Sequence, residues 1–384
     1  MNEERGMAMK QYIYADNAAT TKLDIDAFEA MKPYLLENYG NAAQPYFFAK
    51  KPKLALKEAR CIIAACIGAL PEEIYFTSGG TESDNWALKC FGLRNDVRRV
   101  FTSAIEHHAV LNACKYATCL PVDSKGLVSP DVLENAFSSY KRAASNCLST
   151  LVSVMLANNE IGTIEPIKEL AAVAHAHAAV FHTDAVQAVG HIPIDVNELG
   201  VDMLSASAHK FNGPKGIGFL YVRKDKSILP YADGGGQERG MRAGTENVAS
   251  IVGMATALKK NCNEMQQTTE KLYIMERNFI DTLCVAGVDF IRNGAKNRVP
   301  GNVNISIRDV SGEMLLHRLD LKGISISTGS ACDSVNTQVS HVIKAICVPQ
   351  EYSEGTIRVS FGRDNRVEDA TEVAKAIISV ISSK

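Results

Sequence analysis

No two cysteines in this chain are spaced C-x-x-C, and none of the ten stands at zinc-ligand spacing from a histidine. That argues against a structural zinc site and a thioredoxin-like motif. Charge excess is missing too. The chain has 41 Lys and Arg against 43 Asp and Glu, a net charge of −2. Nothing therefore points to nucleic acid or an anionic membrane as an obligatory partner. No apolar run approaches the ~20 residues that cross a bilayer. The first residues, MNEERGMAMK, are partly acidic and lack an apolar h-region, so they do not read as a signal peptide. Internal repeats and low-complexity tracts are also absent. These gaps leave a soluble cytoplasmic protein with reduced thiols as the expectation. Most of its cysteines, Cys61 and Cys66 among them, read as small buried hydrophobes.

What remains is an α/β pattern. A chain of 384 residues is too long for one simple core and suggests two domains. Strand-like stretches at 73–79, 98–104, 148–156, 180–185 and 202–208 alternate with helical ones. Apolar strands separated by helices predict a mostly parallel sheet covered on both faces. A further strand at 216–222 follows a Gly-Pro-Lys-Gly loop. That loop cannot hold a crossover helix, so this strand should be antiparallel. Residues 231–247 are glycine-rich and lack apolar periodicity, which marks a functional loop. A helix-rich stretch follows to Cys284, then strands at 302–307, 324–328 and 356–362. Apolar positions 367, 370, 373, 374, 377, 378 and 381 trace one face of a last helix. The large domain is expected at 17–260, and the small one at 1–16 with 261–384.

Four stretches sit where the strands end, the usual place for ligands in open α/β sheets. In T-S-G-G-T-E-S-D-N (77–85) two glycines precede a helix start at Thr81. Bare backbone and free N–H groups there suit a phosphate. An ordinary glycine turn with a threonine cap reads the same way. The stretch matches neither G-x-G-x-x-G nor the Walker pattern. In F-H-T-D-A-V-Q (181–187), Asp184 could hold a cationic ring nitrogen or simply cap a helix. Lys210, in S-A-S-A-H-K-F-N-G-P, could form a Schiff base with a carbonyl cofactor or be an exposed loop lysine. Ser207 and His209 beside it could donate to the same phosphate. His107 could stack on a planar ring or move a proton, or merely start a helix. His175 and His177 read as surface or packing residues, because i,i+2 spacing does not share a helix face. Taken jointly, these are the parts that pyridoxal phosphate needs. Cys332 stands apart from the other cysteines, in the small polar stretch S-T-G-S-A-C-D-S.

At this point the sequence resembles the class V aminotransferase group of fold-type-I pyridoxal-phosphate enzymes. Within it, the chain is similar to the cysteine desulfurases of the NifS/IscS kind. The resemblance runs from YADNAATT (14–21) through FTSGGTESDN, ANNEIG, HTDAVQ, SAHKFNGPKGIG, GGGQERGMRAGTENV and STGSAC to RVSFGR (358–363). It implies a large domain with a mostly parallel seven-stranded sheet and a smaller C-terminal α/β domain. It also implies roles. Lys210 would carry the cofactor. Gly80, Thr81, Ser207 and His209 would hold its phosphate. Asp184 and Gln187 would contact its ring, with Asn159 nearby and His107 stacked and shuttling protons. Arg358, with Asn41 and Asn159, would bind the substrate, a bidentate guanidinium suiting its carboxylate. Thr245 would reach the phosphate in the neighbouring subunit of a homodimer. Cys332 would be the nucleophile. It would take sulfur from L-cysteine as a persulfide, leaving alanine. The sulfur would pass to an acceptor such as an iron–sulfur scaffold, Cys332 serving as a transient cluster ligand, with no resident metal.

The chain departs from the resemblance in two places. Relatives continue with Pro-Ser-Ser after Tyr39-Gly40-Asn41, whereas here Ala42-Ala43-Gln44-Pro45 leads into Tyr46-Phe47-Phe48-Ala49. Relatives often carry Ser-Ser-Gly after the cysteine, and a proline before Ser-His-Val. Here Asp333 follows Cys332 and Val339 stands at the proline position. An acid beside a thiolate should raise its pKa and slow it. The alternatives are a selenocysteine lyase, another class V enzyme such as an aminotransferase, or a retired scaffold. A plain aminotransferase has no use for Cys332, and a scaffold has no use for Lys210.

Overall fold

A computed structural model describes residues 12–91, 98–141, 149–328 and 339–382. Its first strands are β1 (Ile13–Tyr14), β2 (Ile74–Thr77), β3 (Arg98–Ser103), β4 (Thr118–Leu120), β5 (Ser149–Ser153) and β6 (Val180–Asp184). Then come β7 (Met203–Ser207), β8 (Gly218–Val222), β9 (Phe290–Arg292), β10 (Asn302–Ile307), β11 (Ile324–Ser325) and β12 (Thr356–Ser360). Seven of these form one sheet, in the order β2-β8-β7-β6-β5-β3-β4. β8 is antiparallel to both neighbours and the remaining pairs are parallel. The sheet and its one antiparallel member match the expectation. β4 went unread because its three residues, Thr-Cys-Leu, carry no alternation and sit at the sheet edge.

A second sheet, β12-β10-β9, is antiparallel throughout. The stretch 324–328 is less regular than expected. Only Ile324 and Ser325 form a strand, β11, parallel to β1, and Ser327 adds one bridge to Arg358. The last helix, Val367–Ser382, buries Ala370, Val373, Ala374 and Ile377 on its apolar face, as the spacing predicts.

Each sheet has its own apolar cluster. Phe76, Phe101, Phe181 and Phe219 belong to the first, and Val303, Ile305, Ile357 and Val359 to the second. One long helix, Val248–Val285, serves both. It gives Ile251, Met254 and Leu258 to the first cluster, then Leu272, Met275 and Phe279 to the second. Asn247 caps this helix by accepting from the Ser250 amide at 3.2 Å. Helices α1 (Ile25–Leu36) and α2 (Lys50–Cys66) pack against it.

The cysteines are less buried than their apolar neighbours suggest. Cys61 is exposed and Cys66 only half-buried, and none of the eight described thiols is fully enclosed. Cys61 faces outward because α2 buries Ala59, Ile63 and Ala64 instead.

The glycine-rich loop is pinned by an ion pair. Arg60 of α2 donates to both carboxylate oxygens of Glu238, at 2.6 and 2.9 Å, and the Phe76 amide donates to Glu238 as well. Glu238 is buried and holds a positive φ of 44°. Removing one partner of a buried pair strands the other charge. Glu238→Ala should therefore lower unfolding free energy by about 3 kcal/mol. The midpoint of urea unfolding reads this, and an unchanged midpoint counts against the anchor.

Candidate active site

A cleft of about 520 Å³ opens at the carboxyl ends of the parallel strands. Gly80, Thr81, Ser207 and His209 line one end of it. Asp184, Gln187, His107 and Lys210 line its middle, with Asn159 and Arg358 beyond. Sequence motifs far apart in the chain thus meet in one place.

The anion end is built from bare backbone. Helix α3 (Gly80–Cys90) starts directly after Gly79, whose φ of +149° disfavours a side chain. In β8, a Cβ on Gly218 would lie 2.4 Å from the Ala206 carbonyl and 2.7 Å from Gly79 Cα. Only glycine lets β8 cross so close beneath the cradle. The α3 N-terminus then offers unpaired N–H groups and the positive end of a helix dipole. Glu82, one turn into α3, accepts from the Ser78 amide at 3.1 Å and from Arg242 at 2.8 and 3.1 Å. This ties the cradle to the glycine-rich loop, a link not read from the sequence.

The middle is electrostatically tuned. Asp184 ends β6, and its Oδ1 accepts from the Val186 amide at 2.9 Å. Burial pushes its carboxyl up to about 6, against the pull of that amide and of the Lys210 charge. A buried carboxyl of this kind gains most from a nearby cation. Lys210 follows β7 on a short 3-10 turn, Ala208–Lys210, and its Nζ donates to the carbonyls of Ala18 and Ala19 at 2.6 and 2.9 Å. His107 caps the short helix His108–Leu111, its Nδ1 accepting from the Ala109 amide at 3.1 Å. Burial, with the Lys210 charge, drops its pKa to about 4. A neutral ring with Nδ1 occupied carries its proton on Nε2. His209 is also brought down to about 4, by burial and then by Lys210 and Lys215. Gln187 donates to the Ala18 carbonyl at 2.9 Å.

Beneath these residues lies a polar layer the sequence reading missed. His182 in β6 is hydrogen-bonded to Ser153 of β5 and Ser205 of β7, each at 2.9 Å, and burial lowers it to about 3. Its Nε2 is 3.7 Å from the Asp84 carboxylate. Asp84, fully buried in α3, is held well above the usual carboxylate range by burial and then by negative Asp184. Glu106 shows the same direction, chiefly through burial. The signal was present: Asp84 lies inside T-E-S-D-N, and Glu106 directly before His107.

Arg358 in β12 donates to Asp16 Oδ1 at 2.6 Å and to the Asn159 carbonyl at 2.9 Å. Among the described residues, its buried Nε has no hydrogen-bond partner. Two expected residues among the described ones, Asn41 and Thr245, do not line the cleft. Asn41 accepts from the Ala43 amide at 2.9 Å in a local turn. Thr245 is exposed on this single chain. Cys332, with the stretch 329–338, lies outside the described residues.

Pyridoxal phosphate fits this donor set. The glycine cradle has room for a phosphate, Asp184 is a buried carboxyl suited to a ring N–H, and Lys210 lies close enough for their charges to interact.

The aminotransferase class-V family profile matches residues 13–373. A cysteine desulfurase IscS of Dictyoglomus turgidum is 47% identical over 371 residues, covering 94% of this chain and 92% of that one. A cysteine desulfurase IscS of Methanosarcina thermophila is 44% identical over 378 residues, covering 96% and 92%. Among solved structures, a NifS-like protein superposes with a TM-score of 0.88 at 34% identity, covering 97% of this chain and 100% of that one. A structure described as SspA in complex with cysteine superposes at 0.76 with 33% identity, covering 91% and 99%.

Proposed function

Since the chain belongs to the class V aminotransferase family and is a pyridoxal-phosphate-dependent cysteine desulfurase, we propose how its own residues carry that reaction. The carrying observation is the convergence of cradle, Asp184, Lys210 and His107 in one cleft. When bound, the cofactor supplies a reactive carbonyl and a protonated ring that draws electrons from the substrate Cα. Gly80, Thr81, Ser207 and His209 hold its phosphate. Asp184 would keep the ring nitrogen protonated, and Gln187 would meet the ring hydroxyl. Lys210 Nζ would hold the cofactor through its carbonyl, and its free amine would be the base that takes the substrate Cα proton. His107 covers the ring face and moves a proton at Nε2. Arg358, steadied by Asp16, binds the carboxylate of L-cysteine, with Asn159 and Asn41 completing the substrate contacts. The Cys332 thiolate attacks the substrate sulfur. An S–S bond forms as the C–S bond breaks, and alanine is left. The sulfur on Cys332 then passes to an acceptor protein, such as a scaffold for iron–sulfur clusters.

The same reading makes the protein a homodimer in which Thr245 reaches the neighbouring cofactor phosphate. Support comes from exposed Thr245 and from apolar side chains uncovered on one chain: Phe47 is 87% exposed, Tyr39 70% and Leu36 67%. Residues 17–260 form the cofactor-binding domain, and 1–16 with 261–384 the small domain. Support is the separate second cluster, which includes Ile13 and Ala15. Cys61, Cys119, Cys284 and Cys347 are exposed free thiols, in keeping with a cytoplasmic location.

Purified enzyme given L-cysteine and a reductant should yield alanine and sulfide in equal amounts, and should sediment as a dimer. Thr245→Ala should weaken cofactor binding about tenfold, the loss of one hydrogen bond to a charged group. Sedimentation as a monomer, or unchanged cofactor affinity, sinks the shared-site reading.

A further inference from the structure

A second cavity, of about 410 Å³, lies outside the cofactor cleft. Lys125, Tyr273, Glu276, Arg292, Lys296 and Arg298 line it. Lys125 comes from the loop after β4, Tyr273 and Glu276 from the long helix, and Arg292 from β9. Lys296 and Arg298 follow in the loop that joins β9 to β10. Four cations thus face one acid, and that acid, Glu276, is already paired with Arg292. Among the described residues, no carboxylate lies within ion-pair distance of Lys125, Lys296 or Arg298. Asp123, in the same loop as Lys125, is turned instead to the Lys125 and Leu127 amides, at 2.8 and 2.9 Å.

Arg298 is only 8% exposed. A buried arginine is normally paired, because taking its charge out of water is costly. Here the guanidinium donates to the carbonyls of Asn293 and Gly294, at 3.1 and 3.4 Å. Those bonds satisfy N–H groups and fix the side chain, but they leave its charge uncompensated. The Nε of Arg292 is likewise buried with no hydrogen-bond partner among the described residues. Burial, and then the Arg298 charge, bring the Arg292 guanidinium down to about 10. Crowded cations of this kind focus a positive field that an anion relieves.

We propose that this cavity binds a small anion carrying a phosphate group. Guanidinium groups match phosphate oxygens in pairs, and Lys125 and Lys296, both exposed, supply further charge at the rim. The volume exceeds what free phosphate needs. Tyr273, 48% exposed, offers a ring face to an organic remainder. Free phosphate and a phosphate monoester share the recognised group. The bound anion would join Lys125, beside the first sheet, to residues of the second. Thr163 marks that seam: its Oγ1 donates to the Lys125 carbonyl at 2.7 Å and accepts from the Ala295 amide at 2.9 Å.

The test uses the holoenzyme, whose cofactor already fills the phosphate cradle of the cleft. Inorganic phosphate, and separately adenosine monophosphate, are titrated by calorimetry with ionic strength held constant by sodium chloride. Saturable binding at one site is expected. Lys125→Ala and Lys296→Ala should each weaken it about tenfold, the loss of one hydrogen bond to a charged group. Lys375→Ala, at an exposed lysine of the last helix, should leave it unchanged. Tighter binding of the nucleotide, with the difference lost in Tyr273→Ala, supports the site and marks its ligand as a monoester. Equal affinities support the site and mark its ligand as free phosphate. No saturable heat from either anion, unchanged affinity in both lysine variants, or an equal loss in Lys375→Ala overturns the proposal.

Discussion

Lys210→Ala will end turnover of L-cysteine while leaving the cofactor cradle in place. Three functions meet on this one nitrogen. On the proposed reading it would hold the cofactor carbonyl, be freed by the substrate amine, and take the Cα proton. Loss of a positioned base alone costs roughly 10²- to 10⁴-fold. Loss of the covalent anchor comes on top, so activity should fall below detection. The cradle should survive, because its parts come from other elements: Gly79 and the α3 N-terminus, with Ser207 at the end of β7. The variant should still bind pyridoxal phosphate, but release it on dialysis. The absorbance of the covalently held cofactor should be missing. Lys210 has a structural duty as well, since its Nζ donates to the carbonyls of Ala18 and Ala19. Circular dichroism should therefore accompany the assay. A folded variant that still makes alanine at a measurable rate would remove Lys210 from the mechanism.

Much of this site was legible because its residues come in short runs at strand ends. T-S-G-G-T, H-T-D-A-V-Q and S-A-H-K each hold several cleft-lining residues within a few positions. Once the strands are aligned in parallel, the runs fall side by side. The register makes this concrete: Asp184 pairs with Ser205 between β6 and β7, and β8 brings Gly218 beside Ser207 and Thr77. What was not legible depends on contacts across long stretches of chain. The resemblance assigns Arg358 to the substrate carboxylate and names no protein partner for it. In the fold it already holds Asp16, a residue of the opening Y-A-D-N-A-A-T-T motif. No local pattern announces that pairing. The buried row Ser153, His182 and Ser205 was hidden for a related reason. Each residue reads as an ordinary member of its own strand, and only the sheet order joins them. Burial of cysteines was misjudged from composition: an apolar neighbourhood in sequence says little about which helix face a residue occupies, as Cys61 illustrates.

The tuning of the cleft follows from these same long-range contacts. Asp84 and Glu106 are pushed toward their neutral forms by burial, which lessens the negative charge beneath Asp184. On the proposed reading, this would leave Asp184 as the carboxylate for the ring nitrogen. His107 is neutral at working pH because burial and the Lys210 charge disfavour its cation. With Nδ1 occupied by the Ala109 amide, the neutral ring presents Nε2–H, which can give up a proton and take one back.

Cys332→Ala should separate the two halves of the reaction. Steps that need only the cleft should persist. L-cysteine should bind through Arg358, and its Cα proton should exchange with solvent through Lys210. Sulfide and alanine should nevertheless fall by at least about 10³-fold, because covalent catalysis supplies the step that breaks the C–S bond. Solvent exchange is the useful control. In deuterated water, recovered L-cysteine should carry deuterium at Cα, which a misfolded or empty enzyme could not produce. In the unsubstituted protein, brief treatment with L-cysteine and no reductant should add the mass of one sulfur atom to the peptide containing Cys332. Asp333 gives a graded version of the experiment. Removing the adjacent negative charge, as in Asp333→Asn, should favour the thiolate and raise the rate a few-fold near neutral pH. If Cys332→Ala keeps full desulfurase activity, or the added sulfur appears on another cysteine, the nucleophile lies elsewhere in the chain.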